Sequence, residues 1–219
     1  MENKKSTWDY LWFALYAFMG LGLELVLIGV IEPIFFEGVK SNNYSDLQKI
    51  IHWILTMICW GTMIIVLHKS AKKKLNFNVF SNNQPTKKGV VITAILVIVC
   101  IILNALDWNT MKIIGEFQKK SIMVFIFQYL YYFVEVMLVY LIVAFGQKFF
   151  ESLLKTNKNI PWGSVVLCFT WGVIHFMTKG TIIDGLGTMA FSLMYGVIYL
   201  LLNKNTKYTY IALVLAFVI

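Results

Sequence analysis

The chain has 219 residues, of which 59% are hydrophobic and only 14% are charged. About a quarter of the residues of a soluble domain are charged, so this composition excludes an ordinary soluble domain and favours a membrane protein. The net charge is +8, which in so apolar a chain indicates loops that face anionic lipid rather than a nucleic-acid partner.

Seven apolar runs follow one another along the chain. They cover 10–35, 50–68, 89–106, 122–145, 162–179, 185–202 and 208–219. A run of about 20 residues matches the hydrocarbon core of a bilayer, inside which the backbone has to form helices. The runs predict an all-α fold, a polytopic membrane helical bundle with a single transmembrane domain over 1–219. We expect about seven spans, with six as the alternative because the last run is short, and Pro33 predicts a break near the end of the first.

The lysines predict the orientation of these spans. In a seven-span arrangement one side holds only Lys40, Lys49, Lys112, Lys119, Lys120 and Lys179, and the other thirteen lysines face the opposite side. Because lysine is enriched in cytoplasmic loops, the thirteen are expected in the cytoplasm together with the amino terminus. The longest polar stretch, 69–89, is predicted to be a basic cytoplasmic loop. Lysine without arginine is typical of an AT-rich bacterial genome, so the expected location is the bacterial plasma membrane.

The cysteines do not predict a disulfide or a metal site. Cys59, Cys100 and Cys168 lie inside apolar runs and show no CxxC spacing, so they are interpreted as packing residues. The histidines and carboxylates lack the close spacing of metal ligands, and we expect neither a metal nor a cofactor.

Three ionisable residues lie deep inside predicted spans. At 1.5 Å per residue, Glu24, Glu135 and His175 fall about 21, 15 and 20 Å from the cytoplasmic ends of their spans, so they could meet in the bundle interior. Such residues are functional candidates, since burying one in lipid costs about 2.5–3.5 kcal/mol or more. A structural ion pair, a proton pathway, and acid–base chemistry on water with Glu135 and His175 as catalytic residues all remain open.

Further polar residues accompany these three. Asn104, Gln128 and Trp171 join Glu24 in a predicted polar intramembrane cluster. Glu32, His52 and Asp184 fall nearer the ends of their spans.

The second half of the chain resembles a known family. Pro161-Trp-Gly-Ser164 is followed by Phe169-Thr-Trp171-Gly-Val-Ile-His175 and then by a glycine-rich stretch from Gly185 to Tyr199. In this order the features resemble the CPBP (CAAX-protease and bacteriocin-processing, Abi-like) intramembrane proteases, over about 135–219. In that family a glutamate is thought to activate water and histidines to stabilise the oxyanion, and the resemblance carries the histidine role to His175.

The departures from the family pattern weaken the expectation of activity. Val143 and Ala144 stand where the Glu-Glu-xxx-Arg motif has its glutamates, although Lys148 could replace the arginine, and 210–219 lacks the His-xxx-Asn motif. Glu135 lies two to three turns from the motif position. We therefore expect a non-catalytic relative that binds a membrane partner or a hydrophobic peptide, as in bacteriocin immunity. The alternatives are an active CPBP-type intramembrane endopeptidase that uses Glu135 and His175, and a small proton-coupled transporter component.

Overall fold

The computed structural model describes residues 6–156, 159–179 and 181–219, which contain helices and no strand. The α-helices are α1 (Thr7–Val26), α2 (Glu32–Phe35), α3 (Asp46–Leu75), α4 (Lys87–Trp108), α5 (Lys112–Lys119), α6 (Ile122–Leu153), α7 (Trp162–Leu167), α8 (Val173–Lys179), α9 (Ile182–Leu201) and α10 (Thr206–Val218). Two π-helical turns, Leu27–Ile31 and Cys168–Gly172, join α1 to α2 and α7 to α8. The predicted all-α fold is confirmed.

Five helical segments of the described chain are long and apolar enough to cross a membrane. They are Thr7–Phe35, Asp46–Leu75, Lys87–Trp108, Ile122–Leu153 and Ile182–Leu201. Two further apolar helices, Trp162–Thr178 and Thr206–Val218, are shorter. All seven predicted spans coincide with one of these segments, and α5 is the additional helix that the apolar runs do not predict.

The helix α6 forms the centre of the bundle. Its residues from Leu138 to Phe145 are all at most 1% exposed, on every side of the helix. A helix that is apolar all round is stable only when it is buried all round. Helices α1, α3, α7 and α10 pack around it and supply the covering surfaces.

The outer surface of the bundle is rich in exposed apolar side chains. On α4, Ile95, Ile98 and Ile102 are each more than half exposed. Soluble proteins rarely carry extended apolar patches on their surface, whereas lipid chains cover them at no cost. The exposed surface thus gives the chain the character of a membrane protein.

The segment 69–89, predicted to be a loop, is helical at both ends. Helix α3 runs on to Leu75 and ends at Asn76, which adopts a left-handed conformation with φ of 48°. Lys72, Lys73 and Lys74 lie in its last turn, where lysine is a good helix former and its charge interacts favourably with the helix dipole. Only 76–86 therefore connects α3 to α4.

The first π-turn explains how the chain passes Pro33 without ending the helix. Proline has no N–H to donate to the carbonyl four residues earlier, so the regular ladder cannot continue through it. The N–H of Glu32 instead bonds to the carbonyl of Leu27, five residues back. The predicted break is thus a local widening of the helix, which rotates all residues beyond it.

Candidate functional site: a polar cavity inside the bundle

A cavity of about 1250 Å³ is lined by residues of α1, α3, α4, α5, α6, α8, α9 and α10 and of the second π-turn. Most of its wall is aliphatic or aromatic. The ionisable side chains in the wall are Glu24, Asp107, Lys112, Glu116, Glu135, His175 and Asp184. The residues predicted as catalytic candidates or as the polar intramembrane cluster all line this one cavity: Glu24, Asn104, Gln128, Glu135, Trp171 and His175.

Trp171 connects the two catalytic candidates. Its indole Nε1 donates to Glu135 Oε1 at 3.4 Å, and its backbone carbonyl accepts from His175 Nδ1 at 2.6 Å. Since a carbonyl can only accept, Nδ1 carries a proton, and in the neutral imidazole Nε2 is the basic nitrogen. The second π-turn, in which Val173 N–H bonds to the Cys168 carbonyl, sets the direction of Trp171 just before His175.

Glu24 is held by a different set of partners. Its Oε1 lies 3.1 Å from His52 Nε2, and its Oε2 accepts from the Tyr131 hydroxyl at 2.9 Å. The Tyr131 ring packs on Trp60 with 4.7 Å between ring centroids. Glu24 therefore shares the cavity with Glu135 and His175 while it is fixed by α3 and α6.

His52 also binds a second carboxylate. Its Nδ1 lies 2.7 Å from Glu32 Oε1, and Tyr44 donates its hydroxyl to Glu32 Oε2 at 2.9 Å. Glu32 is fully buried and His52 is 7% exposed. Burial and the Glu32 carboxylate raise the pKa of Tyr44 to about 12, so this phenol keeps its proton and remains a donor.

The sequence placed Glu32 and His52 near span ends and did not join them to Glu24. Glu24 and Glu32 are eight residues apart, which in a straight α-helix leaves their side chains about 80° apart. The π-turn Leu27–Ile31 takes one extra residue for its wider ring, so the two glutamates come close to two whole turns apart and face the same side. Pro33 was the one signal in the sequence that pointed to this change of register.

A second polar network lies in the wall of the cavity. Glu116 Oε1 accepts from Tyr132 at 2.9 Å and from Gln128 Nε2 at 3.2 Å, and it lies 3.4 Å from the Lys120 ammonium. Lys120 also donates to the Gln128 side-chain oxygen. The network satisfies Gln128, which the sequence had placed in the polar cluster, and adds Glu116, which lies on the unpredicted helix α5.

Three cavity-lining residues carry buried polar atoms that lack a hydrogen-bond partner within the described part of the chain. They are Trp60 Nε1, Glu116 Oε2 and the Tyr195 hydroxyl. Such atoms are rare in folded proteins, because each costs about 1–3 kcal/mol when it is left unpaired. Bound water or the polar groups of a ligand can supply the missing partners.

Among the described residues no group of three or more His, Cys, Asp or Glu side chains could hold a metal ion. At His52 the two carboxylates do not converge on one point, because Glu24 and Glu32 face opposite nitrogens of the imidazole ring.

Val143 and Ala144, which the resemblance to the CPBP family led us to compare with its motif glutamates, lie in the packed core. Val143 is fully buried and Ala144 is 1% exposed, and neither lines the cavity. Gln147 lies three residues further along the helix. Its Oε1 accepts from the Gly163 N–H at 2.9 Å, and its Nε2 donates to the Ile160 carbonyl at 3.0 Å. This end of α6 thus holds the turn that leads into α7.

Comparison with protein-family models, with curated proteins and with solved structures finds no match to this chain. The class of protein therefore follows from the chain itself. Over the residues that the structure describes, it is a helical protein with five helices long and apolar enough to span a membrane, and with an internal cavity lined by carboxylates, a histidine and aromatic rings.

Proposed function

We propose that this chain is a multi-pass protein of the bacterial plasma membrane that binds a hydrophobic peptide or a similar apolar ligand in its cavity without cleaving it. The cavity carries the proposal. Its volume of about 1250 Å³ exceeds that of most small-molecule pockets, about 300–1000 Å³, and leaves room for several side chains. A mostly apolar wall with a few polar groups is the usual composition of a ligand site.

The position of the opening supports an apolar ligand. Leu25 of α1, Leu103 of α4 and Ile183 of α9 line the cavity and are at the same time 61%, 40% and 79% exposed. The cavity therefore opens beside the apolar outer surface of the bundle. A ligand dissolved in the bilayer could enter sideways, without crossing an aqueous phase.

The packing of α6 supports binding without cleavage. In the family that the chain resembles, two glutamates begin the catalytic motif, and here the equivalent Val143 and Ala144 are buried away from the cavity. An apolar pair cannot activate water. Within the part of the chain that resembles the family, Glu135 and His175 are acid–base candidates, and their link through Trp171 keeps an intramembrane endopeptidase as the second candidate.

We further propose seven crossings with a cytoplasmic amino terminus. The excess of lysines on one side of this arrangement supports it. So does the position of the short helix α10, which begins beside Ser81 and ends beside Lys112, residues that flank the two ends of α4.

Filling the cavity tests the binding proposal. Gly187 lines the cavity, and a Cβ added there meets no atom within 4 Å, so Gly187→Leu should fold normally and occupy ligand space. The probe is a leucine-rich peptide with a photoactivatable diazirine side chain, added to the protein in bilayers. We expect cross-links to cavity residues, reduced about tenfold in Gly187→Leu by a steric cost of about 1–3 kcal/mol.

Gly61→Leu is the matched control, because Gly61 has equally open surroundings and does not line the cavity. It should leave the cross-links unchanged. Cross-links confined to the outer apolar surface, or equal in both variants, would contradict binding in the cavity. Cleavage of the peptide that is lost in Glu135→Gln and in His175→Gln would replace the proposal with the endopeptidase.

A further inference from the structure

Hydrogen bonds connect the large cavity to a second, smaller pocket. The small pocket has a volume of about 420 Å³ and lies at the amino-terminal ends of α3 and α6. Its wall is polar and includes Lys49, Lys120 and Ser121, together with Tyr44 and His52. His52 therefore lines the small pocket, while its partner Glu24 lines the large cavity.

The chain of bonds between the two spaces has no gap. It runs from Tyr44 to Glu32 (2.9 Å), from Glu32 to His52 (2.7 Å) and from His52 to Glu24 (3.1 Å). Tyr131 closes it on the cavity side. Each separation is within the range of a normal hydrogen bond.

The proton count of Glu32, His52 and Glu24 can be read from these contacts. Both imidazole nitrogens face carboxylate oxygens, and an ionised carboxylate can only accept. Each of the two contacts therefore needs one proton, held either by the nitrogen or by the facing carboxyl group. Two protons shared in this way give one negative charge over the three groups, wherever the protons lie.

We propose that Glu32, His52 and Glu24 form a proton relay that leads from Tyr44, in the wall of the small pocket, to the large cavity. In the step, the O–H bond of protonated Glu32 breaks and an N–H bond forms at His52 Nδ1. The Nε2–H bond of His52 then breaks, and its proton forms an O–H bond on Glu24. Charge is conserved, and both contacts remain hydrogen-bonded before and after the transfer.

The surroundings of His52 suit this exchange. Helix α1 contributes Glu24, α2 contributes Glu32, and α6 contributes Tyr131 through its bond to Glu24. Asp46 and Lys49 on its own helix share the small pocket with it, as do Lys119 at the end of α5 and Lys120 directly after it. The proposal does not depend on which ligand the large cavity binds.

Solid-state ¹⁵N NMR of histidine-labelled protein in bilayers tests the relay, since the chain has only three histidines. In the native protein we expect proton exchange to average the two His52 nitrogen signals. In Glu24→Gln the new amide can donate to Nε2, so the proton stays on Nδ1 opposite Glu32. In Glu32→Gln the new amide can donate to Nδ1, so the proton stays on Nε2 opposite Glu24.

Glu135→Gln is the control, because Glu135 lines the same cavity and bonds to Trp171. In this variant the two nitrogen signals of His52 should remain averaged. One fixed tautomer in the native protein, unchanged in both glutamine variants, would overturn the relay. As a kinetic readout, the infrared signal of the Glu24 carboxyl after a pH jump should slow on the order of a hundredfold in His52→Gln, and an unchanged rate would also overturn it.

Discussion

Lys120 lies outside the membrane-spanning segments, and its surroundings change the acid–base behaviour of its amine. Its ammonium lies 3.4 Å from Glu116 Oε1 and its side chain is 25% exposed. Burial disfavours the charged amine and lowers the pKa of Lys120, although the Glu116 carboxylate acts in the opposite direction. A lysine of this kind is neutral, and thus nucleophilic, in a larger fraction of molecules at a given pH.

Pulsed acetylation at a series of pH values tests this property of Lys120. Because only the neutral amine reacts, a lowered pKa moves the midpoint of modification below that of lysine in a short peptide. Glu116→Gln removes the carboxylate that keeps the amine charged, so the midpoint should fall further. Mass spectrometry of the peptide that contains Lys120 gives both midpoints. A native midpoint equal to that of the peptide, or a rise in Glu116→Gln, would contradict the expectation.

Individual site residues could be predicted from the sequence only where chemistry alone identifies them. Glu24, Glu135 and His175 stand out because an ionisable group inside an apolar run is rare. Glu116 gives no such signal, since the helix α5 around it contains both polar and apolar residues and lies between two predicted spans. Its role in the cavity depends on tertiary packing against Gln128 and Tyr132.

Helix contacts at glycine hold α6, α7 and α9 together. A Cβ on Gly163 would lie 2.3 Å from the Val143 carbonyl oxygen, and one on Gly196 would lie 1.9 Å from Ser164 Oγ. A local movement of α7 away from α6 or from α9 would lose these contacts. Small residues at such crossings let backbones approach closely, which favours association of helices in a membrane.

Gly163→Ala should therefore destabilise the bundle. The backbone carbonyl of Val143 cannot rotate away as a side chain could, so we expect a loss of about 1–3 kcal/mol in unfolding free energy. Gly61→Ala is the matched control, because its Cβ enters open space, and a gain in helix propensity of up to about 1 kcal/mol should make it neutral or stabilising. Unfolding in mixed micelles, followed by tryptophan fluorescence, measures both. Equal effects would show that the close approach is unimportant.

At the scale of helices, the length of an apolar run predicts where a helix lies but not its register. The runs match the seven apolar helices because about 20 apolar residues can do little else in lipid. The π-turns are different, since each depends on whether one N–H bonds four or five residues back. Pro33 offers a reason for the first, whereas Cys168–Gly172 contains no proline. Without the first turn, Glu32 would not face His52. The pattern of apolar residues therefore does not predict that His52 contacts both Glu24 and Glu32.

At the scale of the whole molecule, the depth of a residue along its predicted span indicates which residues lie at the same height in the bundle. Depth predicts that Glu24, Glu135 and His175 could meet, and all three line one cavity. Depth does not specify which helices are neighbours. The bond from Glu24 to His52 requires α1 to pack on α3, and that from Glu135 to Trp171 requires α6 to pack on the second π-turn. These contacts follow from side-chain fit across the bundle, which one sequence does not reveal.

The number of crossings depends on α10, which has 13 residues and a length of about 20 Å. This is less than the ~30 Å of a bilayer core, so length alone does not decide between six and seven crossings. Its contacts are more informative. Ser81, which precedes α4, bonds to Thr206 at the start of α10, and Lys112, which follows α4, bonds to the carbonyl of Ile219. The ends of α10 therefore lie beside the two ends of α4, so α10 crosses whenever α4 does.

Reporter fusions can decide the crossing count. Green fluorescent protein fused after Asn203, between α9 and α10, should fluoresce because that turn is expected in the cytoplasm. The same reporter fused after Ile219 should be dark, whereas alkaline phosphatase fused there should be active, since it requires the oxidising periplasm. Fluorescence at both positions would place both ends of α10 in the cytoplasm and reduce the count to six. It would also separate α10 from α4, and with it Ala216 and Phe217 from the wall of the cavity.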